Sequence, residues 1–276
     1  MNMNLTMIGR LTDCVLLSYR TPAASVAHLI PEGLELVTRG PWAFWNVVAC
    51  RVDAMRPAFP GAIDTPHALG VTYHHVAYRL LVQAMTDRAD VRKGLYFVRS
   101  DADARVLGTV GNWMTDFKFH PADITLNAAQ ITNTGHEYAL NVTTHDGQGD
   151  ARLSLAPNPP ALAQGSCFPT LQDAQEFLKY QPYALAVTGR NGQRQLSIAE
   201  VQRDESKWVE TPVSLREADF ALFRELGQTE ARFELATRVA AMDYTWKLGR
   251  RETLLGQTAD AEVDAETETN EVARSA

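Results

Sequence analysis

The chain has 276 residues, 45% of them hydrophobic, and a formal net charge of −7 from 26 basic and 33 acidic residues. This length fits one large domain or two small ones. The sequence lacks a basic cluster, which argues against nucleic-acid binding, because phosphate contacts need grouped lysine and arginine side chains. It also lacks a run of about 18 apolar residues, which excludes a membrane-spanning helix.

The first half of the chain is predicted to consist of strands joined by short helices and loops. A helix capped by Thr21, with Pro22 at its first position, follows the first strand. The segment 101–114 is predicted as another short helix capped by Asp101 or Asp103, with Val106, Val110 and Trp113 on one side. The predicted strands, rich in β-branched and aromatic residues, are 13–19, 42–52, 71–82 and 95–99, and the proline-rich segment 56–66 is a predicted loop.

Two of these strands have informative side-chain patterns. The run 42–52 is apolar on both of its faces, which is typical of a strand that is buried on both sides. The strand 71–82 has two different faces, because side chains alternate along a strand. One face carries Tyr73, His75, Ala77, Arg79 and Leu81, and the other carries Thr72, His74, Val76, Tyr78 and Leu80.

The second half also favours strands. A helix over 171–180 is predicted from a capping box that begins at Thr170. Another helix is predicted to begin at the capping pattern of Ser214 and Glu217 and to end at Gly227. Strands are predicted from 117 onward, over 124–133 and 137–145 with a turn at Asn133-Thr134-Gly135 between them, and over 151–156. A hairpin of 183–187 and 195–201 is predicted around Asn191-Gly192, while 230–248 is ambiguous between strand and helix.

Eight to ten predicted strands against three short helices indicate a mainly β (α+β) fold. Regular strand–helix alternation is missing, which argues against a doubly wound parallel sheet. A mostly antiparallel sheet that curls on itself would protect its edges. Residues 1–255 are predicted to form the domain. Residues 256–276 are acidic and contain no aromatic residue, so they are predicted to be a disordered tail.

Cys14, Cys50 and Cys167 are widely spaced and match neither a zinc pattern nor a disulfide framework. Cys14 and Cys50 lie in apolar runs and are expected to be small buried residues in a reducing compartment. The N-terminus lacks the charged and apolar regions of a signal peptide, so a cytoplasmic location is predicted. The sequence predicts no metal site and no cofactor.

Four segments in order, 16–36, 42–57, 95–106 and 177–198, carry a family resemblance. The first contains LLSYRTPAASVAHLIPEGLEL, which resembles the opening of the acetoacetate decarboxylase-like superfamily, and the others are similar to blocks of its DUF2071 branch. The resemblance implies a cone-shaped, mixed or antiparallel β-barrel that encloses a pocket, with a few short peripheral helices.

The chemistry of the decarboxylases requires a lysine amine that is neutral near pH 7 and forms a Schiff base. In that family two adjacent lysines follow the Asp-containing block, and the first of them forms the imine. Counting without gaps from Asp101 places Phe117 and then Lys118 at these positions. Strand alternation would put Phe117 and Phe119 on one face and Lys118 on the other.

The other polar site residues that the resemblance implies do not all have a counterpart at the expected position of this sequence. Arg10 lies about two residues from the expected arginine, and His74 or His75 stands where a glutamate is expected. The candidate catalytic residues are therefore Lys118 and His74. The candidate ligand-binding residues are Phe117, Phe119, Tyr73, His75, Arg79, Arg10 and Trp113.

The resemblance favours binding or transformation of a small carbonyl- or carboxylate-bearing molecule in an interior apolar pocket. The sequence leaves open whether the protein is an enzyme. One alternative is a Schiff-base lyase that uses Lys118, and another is acid–base chemistry by His74 or His75 with Arg79. The third is a ligand-binding module that kept the barrel and lost the lysine. A homo-oligomer is compatible with the sequence.

Overall fold

The computed structural model describes residues 5–58, 70–86, 90–112, 115–128, 138–156, 162–179, 181–190 and 193–254. Thirteen strands in this part of the chain form one sheet. They are β1 (Leu5–Pro22), β2 (Glu35–Leu36), β3 (Trp42–Pro57), β4 (Val71–Met85), β5 (Val91–Ala102), β6 (Phe119–Ala128), β7 (Tyr138–Thr144), β8 (Ala151–Ala156), β9 (Tyr183–Arg190), β10 (Gln193–Arg203), β11 (Glu210–Phe220), β12 (Arg232–Val239) and β13 (Met242–Thr253).

The helical segments are short and lie between strands. They are α1 (Ala23–Val26) with a following 3-10 turn (Ala27–Leu29), a π-helical segment (Leu107–Gly111), α2 (Leu171–Phe177) and α3 (Ala221–Glu225). No helix in the described ranges is long and apolar enough to cross a bilayer.

The sheet closes twice, so two rings share one wall made of β1, β3, β4 and β5. The nine-strand ring continues from β5 through β6, β7, β8, β11 and β12 and returns to β1. The seven-strand ring continues from β5 through β9, β10 and β13 and also returns to β1. Both parallel contacts, β5 with β6 and β5 with β9, are short, and the other pairings are antiparallel. The predicted β-barrel architecture is confirmed.

The shared wall explains the side-chain patterns of β3 and β4. On β4, Val76, Tyr78 and Leu80 pack inside the nine-strand ring. Tyr73 and Ala77 pack inside the seven-strand ring. Because each ring covers one face of the wall, β3 is apolar on both faces, as predicted for 42–52.

The nine-strand ring is filled by a packed core. Trp45 and Tyr78 are among its largest fully buried side chains. The ring of Phe223 lies 5.3 Å from that of Trp45 and 5.3 Å from that of Tyr19, in edge-to-face or tilted arrangements that aromatic pairs prefer. The nine-strand ring therefore supports one face of the shared wall through close packing.

The prediction of a helix from Ser214 to Gly227 is wrong over most of that segment. Both residues lie in β11, and the helix that follows covers only Ala221–Glu225. β11 pairs with β8 on one side and with β12 on the other, with a bulge between Leu215 and Glu217. The backbone hydrogen bonds of two neighbouring strands outweigh a local capping pattern, whose effect is small.

The helix predicted over 101–114 begins later than expected. Asp101 and Ala102 end β5, where they pair with Val76 and His75 of β4. The carboxylate of Asp101 accepts a hydrogen bond of 2.9 Å from Nε of Arg99, so it does not cap a helix. An ion pair with Arg99 of the same strand has replaced the predicted helix cap at Asp101.

Capping was predicted correctly for α2 and incorrectly for α1. Thr170 is the N-cap of α2, and its hydroxyl accepts from the backbone N–H of Asp173. At α1 the N-cap is Pro22, while the hydroxyl of Thr21 donates to Oε1 of Gln228 at 2.9 Å.

The segment 230–248, which was ambiguous in the sequence, forms β12 and most of β13. The first strand, β1, begins at Leu5, earlier than the predicted start at residue 13. The predicted turns at 133–135 and 191–192, and the predicted tail 256–276, lie outside the described residues.

Candidate functional site

A cavity of about 190 Å³ lies inside the seven-strand ring. Its walls include residues of β1, β3, β4, β5, β10 and β13, the first residue of β6 and the π-helical segment, and most of the lining side chains are aliphatic or aromatic. Val106 lines the cavity and is 46% exposed. A concave, largely apolar cavity with a few polar groups is typical of a small-molecule site.

Three of the polar groups form a row across three neighbouring strands. Cys50 on β3 is paired with His75 on β4 in the strand register. On the other side of Cys50, the register of β1 against β3 shifts between Thr12 and Val15, so that Asp13 and Cys14 together oppose Cys50. Such a bulge bends the strand and redirects a side chain. All three side chains, Cys14, Cys50 and His75, line the cavity.

The two thiols of this row are buried and coupled to each other. The neighbouring thiol of Cys14, followed by His75 and Arg79, lowers the pKa of Cys50 against the opposing effect of burial. The neighbouring thiol of Cys50 and burial raise the pKa of Cys14. Of the two cysteines in the row, Cys50 is therefore the one whose thiolate is favoured.

The imidazole of His75 is 8% exposed and is held between two aromatic rings of the cavity. Its ring centroid is 5.3 Å from that of Phe119 and 6.2 Å from that of Tyr73. Its Nε2 atom is buried and has no hydrogen-bond partner among the described residues. Buried polar atoms are almost always paired, so an unpaired ring nitrogen on a residue of the cavity wall is unusual.

Arg79 places a positive charge in the same cavity. Its side chain is 3% exposed, donates a hydrogen bond to the amide oxygen of Asn46, and lies 5.5 Å over the ring of Phe97. Arg79 is on the same face of β4 as His75 and Tyr73, as strand alternation predicts.

Lys118 lies outside the cavity. Its side chain is exposed, and its Nζ donates to the hydroxyl of Tyr96 at 2.7 Å while lying 4.5 Å over that ring. Its neighbours Phe117 and Phe119 both line the cavity, and Phe117 stacks on Phe97 with the ring centroids 4.4 Å apart. Lys118 has a φ of 55°, so the backbone is irregular here, yet the two phenylalanines still share one side.

The family comparison agrees with this architecture. The family model of DUF2071, described as an uncharacterised conserved protein, matches residues 9–243. The chain belongs to the DUF2071 family. No curated protein sequence matches this DUF2071 protein.

Solved structures of the acetoacetate decarboxylase-like fold resemble the DUF2071 protein over most of its length. The enduracididine biosynthesis enzyme MppR in complex with pyruvate has a TM-score of 0.56 and 12% identity, covering 94% of this chain and 93% of that one. An acetoacetate decarboxylase-like enzyme from Sphingomonas wittichii RW1 has a TM-score of 0.56 and 14% identity, covering 91% and 93%. An acetoacetate decarboxylase has a TM-score of 0.52 and 14% identity, covering 91% and 89%. At these identities the likeness shows the shared fold.

Two further candidate residues of the DUF2071 protein lie away from the cavity. The imidazole of His74 is on the opposite face of β4 from His75, and its Nδ1 is 2.7 Å from a carboxylate oxygen of Asp103. Nη1 of Arg10 donates to Asp243 at 3.1 Å, in a pair that is largely exposed. Trp113 lies outside the described residues.

Sequence reasoning missed Cys14 and Cys50 as site residues, because both were interpreted as buried apolar residues. Their burial is as predicted. The signal that could have found them is the pairing of Cys50 with His75, which requires knowledge of the register between β3 and β4. In the described ranges, no group of three or more histidine, cysteine or acidic side chains is arranged to hold a metal ion.

Proposed function

We propose that the protein binds a small organic carboxylate in the cavity of the seven-strand ring, with Arg79 as its anchor. The observation that carries this proposal is a buried guanidinium in the wall of a largely apolar cavity. Arginine and carboxylate form charge-assisted, often bidentate hydrogen bonds. Their attraction is stronger where water is excluded.

The dimensions and polar groups of the cavity limit the ligand. A cavity of roughly 150 Å³ holds a benzene ring, so the volume of about 190 Å³ fits a single-ring or short branched carboxylate. The apolar lining would contact its hydrocarbon part, and Nε2 of His75 would hydrogen-bond a carbonyl or hydroxyl oxygen. MppR, which shares the fold, has been solved with pyruvate, a small molecule that combines a carboxylate and a ketone.

Removing the guanidinium of Arg79 should weaken carboxylate binding. We expect Arg79→Met to bind benzoate at least about thirtyfold more weakly than the wild type, since truncating one partner of a buried charge pair costs about 2 kcal/mol or more. Isothermal titration calorimetry measures the affinity, and thermal melting verifies that the variant is folded. Arg10→Met is the matched control, because Arg10 is an arginine outside the cavity.

A second comparison does not depend on the folding of a variant. The wild-type protein should bind benzoate more tightly than benzamide, which has the same shape and no charge. Equal affinities for the two compounds, or an Arg79→Met variant that keeps the wild-type affinity for benzoate, would contradict the proposed anchor.

The proposal involves no imine at Lys118. Because its amine is on the outside at Tyr96, we predict that treatment with acetoacetate and borohydride leaves the mass of the protein unchanged and that no acetoacetate is decarboxylated. Intact-protein mass spectrometry and carbon dioxide release measure the two outcomes. A reduced adduct on Lys118 that disappears in Lys118→Ala would replace this proposal with the Schiff-base lyase.

A further inference from the structure

The row of Cys14, Cys50 and His75 has no role in simple carboxylate binding. A buried cysteine usually behaves as a small apolar residue, but these thiols lie beside each other and beside an imidazole in the wall of a cavity. Reactive cysteines are found where hydrogen bonds and positive charge stabilise the thiolate. Cys14, His75 and Arg79 each lower the pKa of Cys50.

We infer that Cys50 is a nucleophile that forms a reversible covalent bond with an electrophilic carbon of the ligand, and that His75 is its proton partner. The ligand class is an oxo acid, in which one molecule carries an aldehyde or ketone for Cys50 and a carboxylate for Arg79. The carboxylate part of this inference rests on the proposed function. The assignment of Cys50 as the nucleophile is independent of it and rests on the row of Cys14, Cys50 and His75.

The covalent step balances without any other reactant. The Cys50 thiolate attacks the carbonyl carbon, a sulfur–carbon bond forms, and the electron pair of the carbonyl π bond moves to oxygen. The imidazolium of His75 donates its proton to that oxygen, which yields a hemithioacetal or hemithioketal and a neutral imidazole. The reverse step returns the proton to His75 and releases the ligand.

The arrangement of the row supports each part of this step. Nε2 of His75 is buried without a partner among the described residues, and an adduct oxygen in the cavity would satisfy it. Cys14 lies opposite Cys50 in the register of β1 against β3, where its thiol would donate to the Cys50 thiolate before attack and after release. A base within hydrogen-bond reach of a nucleophile is the usual arrangement for nucleophilic catalysis.

Alkylation by iodoacetate tests the nucleophile, because this small carboxylate is attacked at carbon with departure of iodide. We expect Cys50 to be carboxymethylated at pH 7 about tenfold or more faster than Cys167, as judged by peptide mass spectrometry. Cys167 is a suitable internal comparison, since burial and Glu234 raise its pKa to about 11. Reactivity follows the thiolate fraction, partly offset by the lower nucleophilicity of a less basic thiolate. The alkylation rate of Cys50 should reach half of its maximum at a pH well below the ordinary thiol pKa of about 8.5.

The pH dependence of alkylation in variants distinguishes a Cys50 thiol activated by Cys14 and His75 from a thiol that is only buried. Cys14→Ala removes the hydrogen-bond donor and should move the half-maximal rate at Cys50 to higher pH, whereas Cys14→Ser keeps a donor and should move it less. His75→Gln should also shift the profile to higher pH. Cys50→Ser should abolish the label.

The aldehyde reaction itself can be observed with 4-formylbenzoate labelled with ¹³C at the aldehyde carbon. The wild type should show the resonance of a carbon bonded to both oxygen and sulfur, and Cys50→Ser should lack it. A Cys50 that is alkylated only after denaturation, together with no such resonance, would overturn the inference.

The neutral reagent iodoacetamide distinguishes failure of the nucleophile from failure of the anchor. If iodoacetate labels Cys50 faster than iodoacetamide does, and Cys167 shows no such preference, both the nucleophile at Cys50 and the carboxylate anchor at Arg79 are supported. If both reagents label Cys50 rapidly at pH 7 without preference, the nucleophile is upheld and the carboxylate anchor at Arg79 is contradicted.

Discussion

Replacing Trp45 by alanine is expected to lower the free energy of unfolding by about 3–5 kcal/mol, the usual cost of removing a buried tryptophan or phenylalanine side chain. Trp45 is fully buried in the nine-strand ring, on the central strand β3, and packs against Phe223. Its indole nitrogen has no hydrogen-bond partner among the described residues, so the loss reflects packing and the cavity left behind.

Denaturant unfolding followed by circular dichroism measures this loss. Trp42→Ala is the matched control on the same strand, because Trp42 is only half-buried and lies under the guanidinium of Arg20. The control should lose markedly less stability. Equal losses in the two variants would show that the nine-strand core is not the main source of stability.

The elements of the shared wall were predictable because their patterns are local. The alternation along 71–82 placed Tyr73, His75 and Arg79 on one face, and this face lines the cavity. The double closure of the sheet was not predictable. It depends on pairings distant in sequence, such as Cys14 with Val239 and Leu95 with Ala184, which no local pattern specifies.

The same distinction applies to the site. Period-two alternation anticipated that Phe117 and Phe119 would lie on the opposite side from Lys118. The proximity of Cys14 to Cys50 was beyond local reasoning, because it depends on a bulge in β1, where Asp13 has a φ of 49°. A single inserted residue reverses the facing of every later side chain, so such a contact requires the strand register.

Arg20→Met is expected to lower the free energy of unfolding by about 3–5 kcal/mol, because it leaves a buried charge without its partner. The carboxylate of Glu234 on β12 is 0% exposed and forms an ion pair with Arg20 on β1. It also accepts hydrogen bonds from the hydroxyl of Ser166 and the backbone N–H of Cys167. Arg20 also donates to the backbone oxygen of Gly165 at 2.7 Å, so the pair ties the 165–167 segment to the ring.

A second substitution shows whether the unpaired charge causes this loss. Adding Glu234→Gln to Arg20→Met removes the charge and keeps an acceptor, so the double variant should be more stable than Arg20→Met alone. Arg10→Met is the control, since its pair with Asp243 is 50% and 83% exposed and should contribute less than about 1 kcal/mol. If the two substitutions at Arg20 and Glu234 are additive in denaturant unfolding, the pair is not coupled, and the loss would have to come from the contacts of Arg20 with Gly165 and Trp42.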